Sequence, residues 1–380
     1  MRTVGIICEY NPLHTGHAHQ LKLVRGAQTV ICVMSGSFVQ RGEAAVLPAR
    51  VRAEMALAAG ADLVLELPFP YAASSARYFA TAGVRALAGV GCDTLCFGSE
   101  TADKEALLAG AKKLLDEEFV AKFDTRMPQT GDAAAHFAAL GDTPAANDIL
   151  ALEYTRAILD EELAMEILPI LREGAAYHQT VLGKGHPSAS ALRAALGKGE
   201  DVTPYLPPVT GDIWKKALSA YGVADISRLG VALLARLRAG DAPTDIADCG
   251  EDLFAHLKKA AQNATDYDTL CREAATKRYT NGRLRRAMLY LLAGVKREDL
   301  LAPPAYLRLL GANEKGRSYL ANTRKSRTVP VITKHSELAA LGEAAERQKE
   351  LERVALDLYT LCMSGSVLPA QLAALPPLML

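Results

Sequence analysis

A parallel α/β domain followed by a mostly α-helical domain is the architecture this sequence predicts, and three observations predict it. Short apolar runs of strand length alternate with helical stretches over the first two hundred residues. Glycine, proline and small polar residues gather after those runs, where an open α/β sheet binds its ligands. After Pro207-Pro208 the strands thin out and helical periodicity takes over. The expected division is therefore residues 1–205 and residues 206–380.

The first run, Val4-Gly5-Ile6-Ile7-Cys8, has the length and composition of a strand. Glu9-Tyr10-Asn11-Pro12 breaks it in a turn, and His14-Thr15-Gly16-His17 opens a helix that continues through Leu21, Leu23 and Val24. Strand, tight turn and helix N-terminus in that order make an anion site, because unpaired N–H groups and the positive dipole end face the turn. Gly16 lets a ligand approach the backbone. Each imidazole can donate a hydrogen bond to phosphate oxygens. One histidine there would be an ordinary polar cap; two around a glycine directly after the first strand point to binding.

Thr29 to Met34 is the second strand, followed by the loop Ser35 to Glu43. Arg50 to Ala59 is a helix stopped by Gly60, and Asp62 to Leu67 is a strand ended by Pro68. Ser74 to Ala88 is helical, Thr94 to Phe97 a short strand, and Ala102 to Asp116 a helix. Further helical pieces run to about Asp160, and Ala164 to Ile170 reads as a late strand. The loops Glu9–Gly16, Ser35–Glu43, Pro68–Ser75 and Gly98–Glu100 all follow strands and should converge on one site. Beyond Pro208, Val329 to Thr333 is the one strand expected.

Half of the 380 residues are hydrophobic, enough for a sizeable core. Lys plus Arg equal Asp plus Glu at 43 each, so a nucleic-acid surface would have to be local. No apolar run reaches about 18 residues, which predicts no membrane span. The first strand starts with no signal-peptide pattern ahead of it, which predicts a cytoplasmic protein. The seven scattered cysteines read as reduced thiols. Cys92 and Cys96, the one close pair, read as buried hydrophobes rather than a zinc pair.

Arg41, in a glycine-bounded loop at a strand end, is either a phosphate or acetate contact or a loop salt bridge. Glu9 and Tyr10 either position substrate or cap the turn. Ser74, Ser75 and Arg77 either reach the site or serve the helix start. His19 reads as helix surface, His178 as a substrate candidate, and His136, His256 and His335 as structural. Lys277, Arg278, Arg283, Arg285 and Arg286 surround Tyr279. With Lys315, Arg317, Arg324, Lys325, Arg327 and Lys334 they suggest a phosphate-tracking surface for RNA, against the alternative of a solvated helix face.

His14-Thr15-Gly16-His17 after a first strand resembles the HxGH motif of the Rossmann-like nucleotidylyltransferase superfamily. Its members bind ATP, direct a nucleophile to the α-phosphate and release pyrophosphate. Ser188-Ala189-Ser190-Ala191-Leu192-Arg193 loosely resembles a second superfamily motif at a helix start, where Ser188, Ser190 and Arg193 would meet phosphate. Longer phrases carry a closer likeness: GIICEYNPLHTGHAHQL, VMSGSFVQRGEAA, GADLVLELPFPYAASSARYFA, CFGSE, NDILALEY, REGAAYH, KRYTNGRLRR and LRLLGANEKGR. They resemble the bacterial tRNA(Met) cytidine acetate ligase family over nearly the whole chain.

That resemblance implies activation of acetate by ATP as acetyl-adenylate, then acetylation of N4 of the wobble cytidine of elongator tRNA(Met). Ile7, Cys8, Glu9, Tyr10, Asn11, Pro12, Leu13, His14, Thr15, Gly16, His17, Ala18, His19 and Gln20 would wrap the ATP. His14 and His17 would be the catalytic pair, stabilising charge as pyrophosphate leaves. Gly98, Asn147 and Arg172 would complete the ATP site, Mg²⁺ would ride on the phosphates, and Lys277, Arg278, Arg283 and Arg286 would bind tRNA. Two positions depart from the family pattern. Asp148 stands where a second asparagine is common, which leaves open whether Asn147 or that position holds the nucleotide. Ala49 stands where many members carry lysine, with Arg50 or Arg41 as replacements. A small-molecule adenylyltransferase and a non-enzymatic RNA-binding protein are the other readings of the same motifs.

Overall fold

Side chains alternate across each central strand, and this alternation builds a sheet covered on both faces. In β1 (Thr3–Cys8), Val4, Ile6 and Cys8 bury in one core and Ile7 in the other. In β2 (Thr29–Ser35), Val30, Cys32 and Met34 join the first core, Ile31 and Val33 the second. The computed structural model describes residues 2–122, 136, 138–139, 146–172, 187–242 and 244–380, without the side chains of Ala146 and His335.

The remaining strands are β3 (Phe38–Val39), β4 (Glu43–Ala44), β5 (Leu63–Leu67), β6 (Thr94–Ser99), β7 (Glu166–Leu171), β8 (Leu307–Ala312), β9 (Val331–Ile332) and β10 (Leu378–Met379). The main sheet runs β10-β8-β5-β2-β1-β6-β7, with β9 on β8. From β5 to β7 every pairing is parallel, in registers such as Thr3 with Thr29 and Val4 with Thr94. The chain winds from β1 outward through β2 and β5, then crosses back to place β6 on the other side of β1. The order reverses between β1 and β6, which is where such sheets open a ligand crevice.

The longer helices described in the first half are α1 (Thr15–Leu23), α2 (Ala49–Ala59), α3 (Ala76–Gly89), α4 (Lys104–Leu115) and α5 (Ala146–Asp160). They are followed by α6 (Ala189–Gly197) and α7 (Gly211–Tyr221). Leu21, Met55, Leu192 and Trp214 put α1, α2, α6 and α7 in one core. Phe79, Leu87, Leu152 and Ile158 put α3 and α5 in the other. The parallel α/β architecture expected from the sequence is present, with strand limits within two residues of those read from the apolar runs.

The second half is helical in α8 (Gly230–Ala239), α9 (Glu251–Ala261), α10 (Tyr267–Ala274), α11 (Asn281–Ala293), α12 (Glu314–Asn322) and α13 (Glu343–Cys362). It also returns to the sheet. β8 pairs antiparallel with β5, and Leu257, Tyr290 and Leu351 share one core with Leu63 and Leu65. Among the described residues three strands therefore lie beyond Pro208, of which β9 falls in the one segment expected. β8 sits in a Leu- and Arg-rich stretch, where a short apolar run fits a helix as well as a strand. The loop after β2 also holds more structure than expected, folding into the β3–β4 hairpin.

Gly42 at the hairpin turn has φ +68°, and a Cβ there would lie 2.7 Å from the Arg286 backbone nitrogen of α11. Gly42→Ala should therefore destabilise by about 1–2 kcal/mol from the left-handed backbone alone, and by more from the clash. Urea denaturation measures it, and an unchanged midpoint would mean the hairpin does not seat against α11 in this way.

Candidate active site

His14 is the N-cap of α1, 3% exposed, and its Nδ1 accepts the Gly16 N–H at 3.1 Å. His17 Nδ1 accepts the His14 N–H at 3.3 Å, so the two side chains form a reciprocal capping box. Their rings stack with centroids 3.8 Å apart. With both Nδ1 atoms accepting, each neutral ring carries its proton on Nε2. Burial, the His14 ring and the Arg172 guanidinium hold His17 well below the usual histidine pKa. A neutral His17 thus stacks on His14 at a positive helix end, an arrangement that favours an anion.

A cavity of about 790 Å³ opens here, over the ends of β1 and β6. All four strand-end loops contribute, through Glu9 to His17, Gln40 and Arg41, Ser75, and Gly98 with Glu100. From the first of these segments Ile7, Cys8, Glu9, Tyr10, Asn11, His14, Gly16, His17, His19 and Gln20 line it. Pro12, Leu13, Thr15 and Ala18 do not; Leu13 is fully buried beneath α1. His19, read as helix surface, lines the cavity instead. Tyr10 holds φ +46°, an uncommon backbone for a bulky residue, with its ring edge-on to His17 at 5.1 Å.

Arg52 anchors the first two loops from below. It is 1% exposed and donates to the carbonyls of Leu47, Glu9 and Gly36. Of the two arginines considered for the absent lysine at Ala49, Arg50 donates to the Pro376 carbonyl at 2.8 Å, and Arg41 lines the cavity. Glu9 Oε1 accepts the Gln40 N–H at 3.0 Å. Burial pushes the Glu9 carboxyl up against the opposing pull of Arg193.

Across the crevice, Gly98 lets Arg172 pass. A Cβ on Gly98 would meet Arg172 Cγ at 3.1 Å. Arg172 Nη1 donates to Asn147 Oδ1 at 3.2 Å, and Asn147 Nδ2 donates to Glu100. Asn147 faces the cavity, whereas Asp148 is buried and accepts Ser99 Oγ and the Glu100 N–H. The adjacent pair thus divides, one side chain toward the ligand space and the other locking the β6 loop.

On the same cavity, Ser188 caps α6 by accepting the Ala191 N–H at 3.1 Å. Arg193 donates to Ser190 Oγ at 3.2 Å and to the Asn11 carbonyl at 2.9 Å. Buried Asn11 accepts the Val46 N–H through Oδ1 at 2.8 Å. Ser75 lines the cavity, Ser74 is buried on the Tyr71 carbonyl, and Arg77 is exposed outside it. His178 lies outside the described residues.

A family model described as HIGH Nucleotidyl Transferase matches residues 1–372. A protein of Syntrophotalea carbinolica named tRNA(Met) cytidine acetate ligase is 39% identical over 365 residues, covering 89% of this chain and 86% of the other. Proteins of the same name from Acetivibrio thermocellus and Listeria monocytogenes are each 34% identical, with 95% of both chains covered. The chain belongs to the tRNA(Met) cytidine acetate ligase family. Among solved structures, apo Thermotoga maritima TmcAL superposes with a TM-score of 0.92 at 28% identity, with both chains fully covered. TmcAL bound with alpha-thio ATP gives 0.87 at 27% identity, over 100% of this chain and 99% of the other.

In this member of the ligase family the helical half reaches the cavity directly. Asn281, Gly282, Arg285 and Arg286 from the start of α11 line it. Glu43 of the hairpin joins Arg193 of α6, at 2.9 Å, to Arg285 of α11, at 2.5 Å. Arg286 pairs with Asp248 at 2.9 Å, and Arg278 and Arg283 stand over the Tyr279 ring at 5.2 Å. Lys277 and Arg278 are exposed. The second basic stretch lies elsewhere. Lys315 approaches Asp62 at the start of β5, and Tyr319 and Thr328 bond the carbonyls of Val90 and Gly89 ahead of β6. It sits toward the strands' N-terminal ends, so the two stretches do not form one continuous surface at the cavity.

Tyrosine hydroxyls from both halves fix the loops: Tyr290 on the Pro70 carbonyl, Tyr359 on Ala45 and Tyr71 on Ala302. The other sequence readings take structural places. His256 bonds the Ala274 carbonyl at 2.9 Å, and His136 meets Glu153 at 2.6 Å. Cys92 and Cys96 are buried free thiols, Cys96 pushed up to about 11 by burial. Among the described residues no helix is long and apolar enough to cross a membrane.

Proposed function

We propose that this chain activates acetate with ATP to acetyl-adenylate and transfers the acetyl group to N4 of the wobble cytidine of elongator tRNA(Met). The observation that carries the reading is the stacked His14–His17 pair at a helix N-terminus, inside a cavity that the basic start of α11 also lines. The nucleotide would lie along Ile7–Gln20, with Gly98, Asn147 and Arg172 flanking it. A carboxylate oxygen of acetate attacks the α-phosphorus in line, the bond to the bridging oxygen breaks, and pyrophosphate leaves. Two Nε2–H groups aimed at the phosphates would stabilise the charge that builds there, and positioning would supply most of the rest. Arg193 with Ser190, and Arg41, would add cationic contacts.

Mg²⁺ would enter on the phosphates. The described residues hold no group of three His, Cys, Asp or Glu able to cage it. The cavity's two carboxylates, Glu9 and Glu100, already accept N–H bonds from Gln40 and from Asn147 with Asp148. Lys277, Arg278, Arg283 and Arg286 would meet tRNA phosphates beside the cavity.

The test is transfer of labelled acetate to bulk bacterial tRNA, with and without ATP. ATP-dependent label is expected in tRNA, and it should vanish in a His14→Ala, His17→Ala double variant. Unlabelled tRNA, with pyrophosphate released on some other small substrate, would replace this reading by small-molecule adenylyl transfer.

A further inference from the structure

We propose that the Glu9 carboxylate takes the proton from the cytidine N4 amine as that nitrogen attacks the acetyl carbonyl. This assignment rests on the acetyl-transfer reading above. In the step, N4 forms a bond to the acetyl carbon, and the bond from that carbon to the α-phosphate oxygen breaks. AMP departs with the electron pair, and the N4 proton passes to Glu9, which releases it to solvent.

Hydrogen bonding around the two lining carboxylates leads to Glu9. The step needs a proton acceptor in the cavity. His14 and His17 each already use Nδ1 as an acceptor for a backbone N–H and carry a proton on Nε2. Of the two carboxylates in the lining, Glu100 has both oxygens engaged, Oε1 by Asn147 and Oε2 by the Asp148 N–H. Glu9 takes one hydrogen bond among the described residues, from Gln40 to Oε1, which leaves Oε2 for a substrate N–H.

Position agrees. The charged and titratable groups facing Glu9 are Arg41 and Glu43 from the hairpin, Arg193 from α6, Arg52 from α2 and Tyr154 from α5. Arg193 and Glu43 are themselves joined to Arg285 at the start of α11. Glu9 therefore stands on the side of the cavity that the basic helix closes, where a tRNA base would enter. Burial also raises its carboxyl above the usual carboxylate range, which strengthens it as a base.

The experiment separates the two half-reactions in the full chain. Acetate-dependent ATP–pyrophosphate exchange reports adenylation, and single-turnover transfer of labelled acetyl to tRNA(Met) reports the second step. Glu9→Gln keeps a carbonyl for the Gln40 N–H. Transfer should fall about 100-fold or more beyond any change in exchange. Glu9→Asp should recover part of the loss. Wild-type transfer should rise with pH as Glu9 ionises, and the residual Glu9→Gln rate should lack that limb. Equal loss of exchange and transfer, or no loss of either, overturns the assignment. Wild-type protein that exchanges pyrophosphate yet never labels tRNA overturns the acetyl-transfer reading, and Glu9's role with it.

Discussion

His14→Asn is expected to leave the protein folded and to slow adenylate formation by about 100-fold or more. Asparagine is among the best N-cap residues, and its Oδ1 can take over the Gly16 N–H that His14 Nδ1 now accepts. What asparagine lacks is a donor at the reach of Nε2. The substitution thus splits the two jobs that one imidazole does, capping α1 and donating to the phosphates. Acetate-dependent ATP–pyrophosphate exchange reads the second job, and the thermal midpoint reads the first. A midpoint that falls in step with activity would assign His14 to the fold alone.

His17 adds a pH dependence to the same test. Its folded pKa lies below its unfolded value, so the unfolded chain binds the proton more readily. Stability from this group is intact above the unfolded value of about 6.5 and is lost as pH falls from there through the folded pKa. Denaturation midpoints of wild type and His17→Asn should converge on acidification from pH 7 to 5. Parallel curves over that range would mean His17 is not held neutral.

How much of this site is readable from sequence is a matter of range. The histidine turn lies within one strand–turn–helix, so residue order alone announces it. The four loops can be placed together because strands that run parallel end on one side. Asn147 and Asp148 are neighbours with similar chemistry, and only the packing of α5 sends one to the cavity and one to the Ser99 loop. The Arg285–Glu43 pair spans 242 positions, so a dense basic run gives no sign of which charges are already matched. β8 is hidden for the same reason, since its partner β5 lies far back in the chain. An arginine buried inside α2 contradicts what charge says of surface helices, and no pattern in that helix marks it.

That arginine carries the second large expected effect. Arg52→Met should destabilise the chain by about 3–5 kcal/mol, because two buried carbonyls and one half-buried one lose a donor together and each orphaned buried acceptor costs about 1–3 kcal/mol before relaxation. The three are not interchangeable: the Glu9 carbonyl follows β1, the Gly36 carbonyl follows β2, and the Leu47 carbonyl precedes α2. One planar guanidinium spans them, which a lysine's single ammonium cannot do. Arg52→Lys should therefore fall between wild type and Arg52→Met in urea denaturation. Glu9 is fixed at its backbone by Arg52 and at its side chain by Gln40. Loosening the first should let the β1 turn, with the histidines that follow it, drift from the β3–β4 hairpin. Arg52→Met should then depress adenylation and transfer alike, unlike Glu9→Gln, which should depress transfer far more than adenylation. An Arg52→Met protein as stable as wild type would mean that water replaces the guanidinium at all three carbonyls, and that the loops hold their places without it.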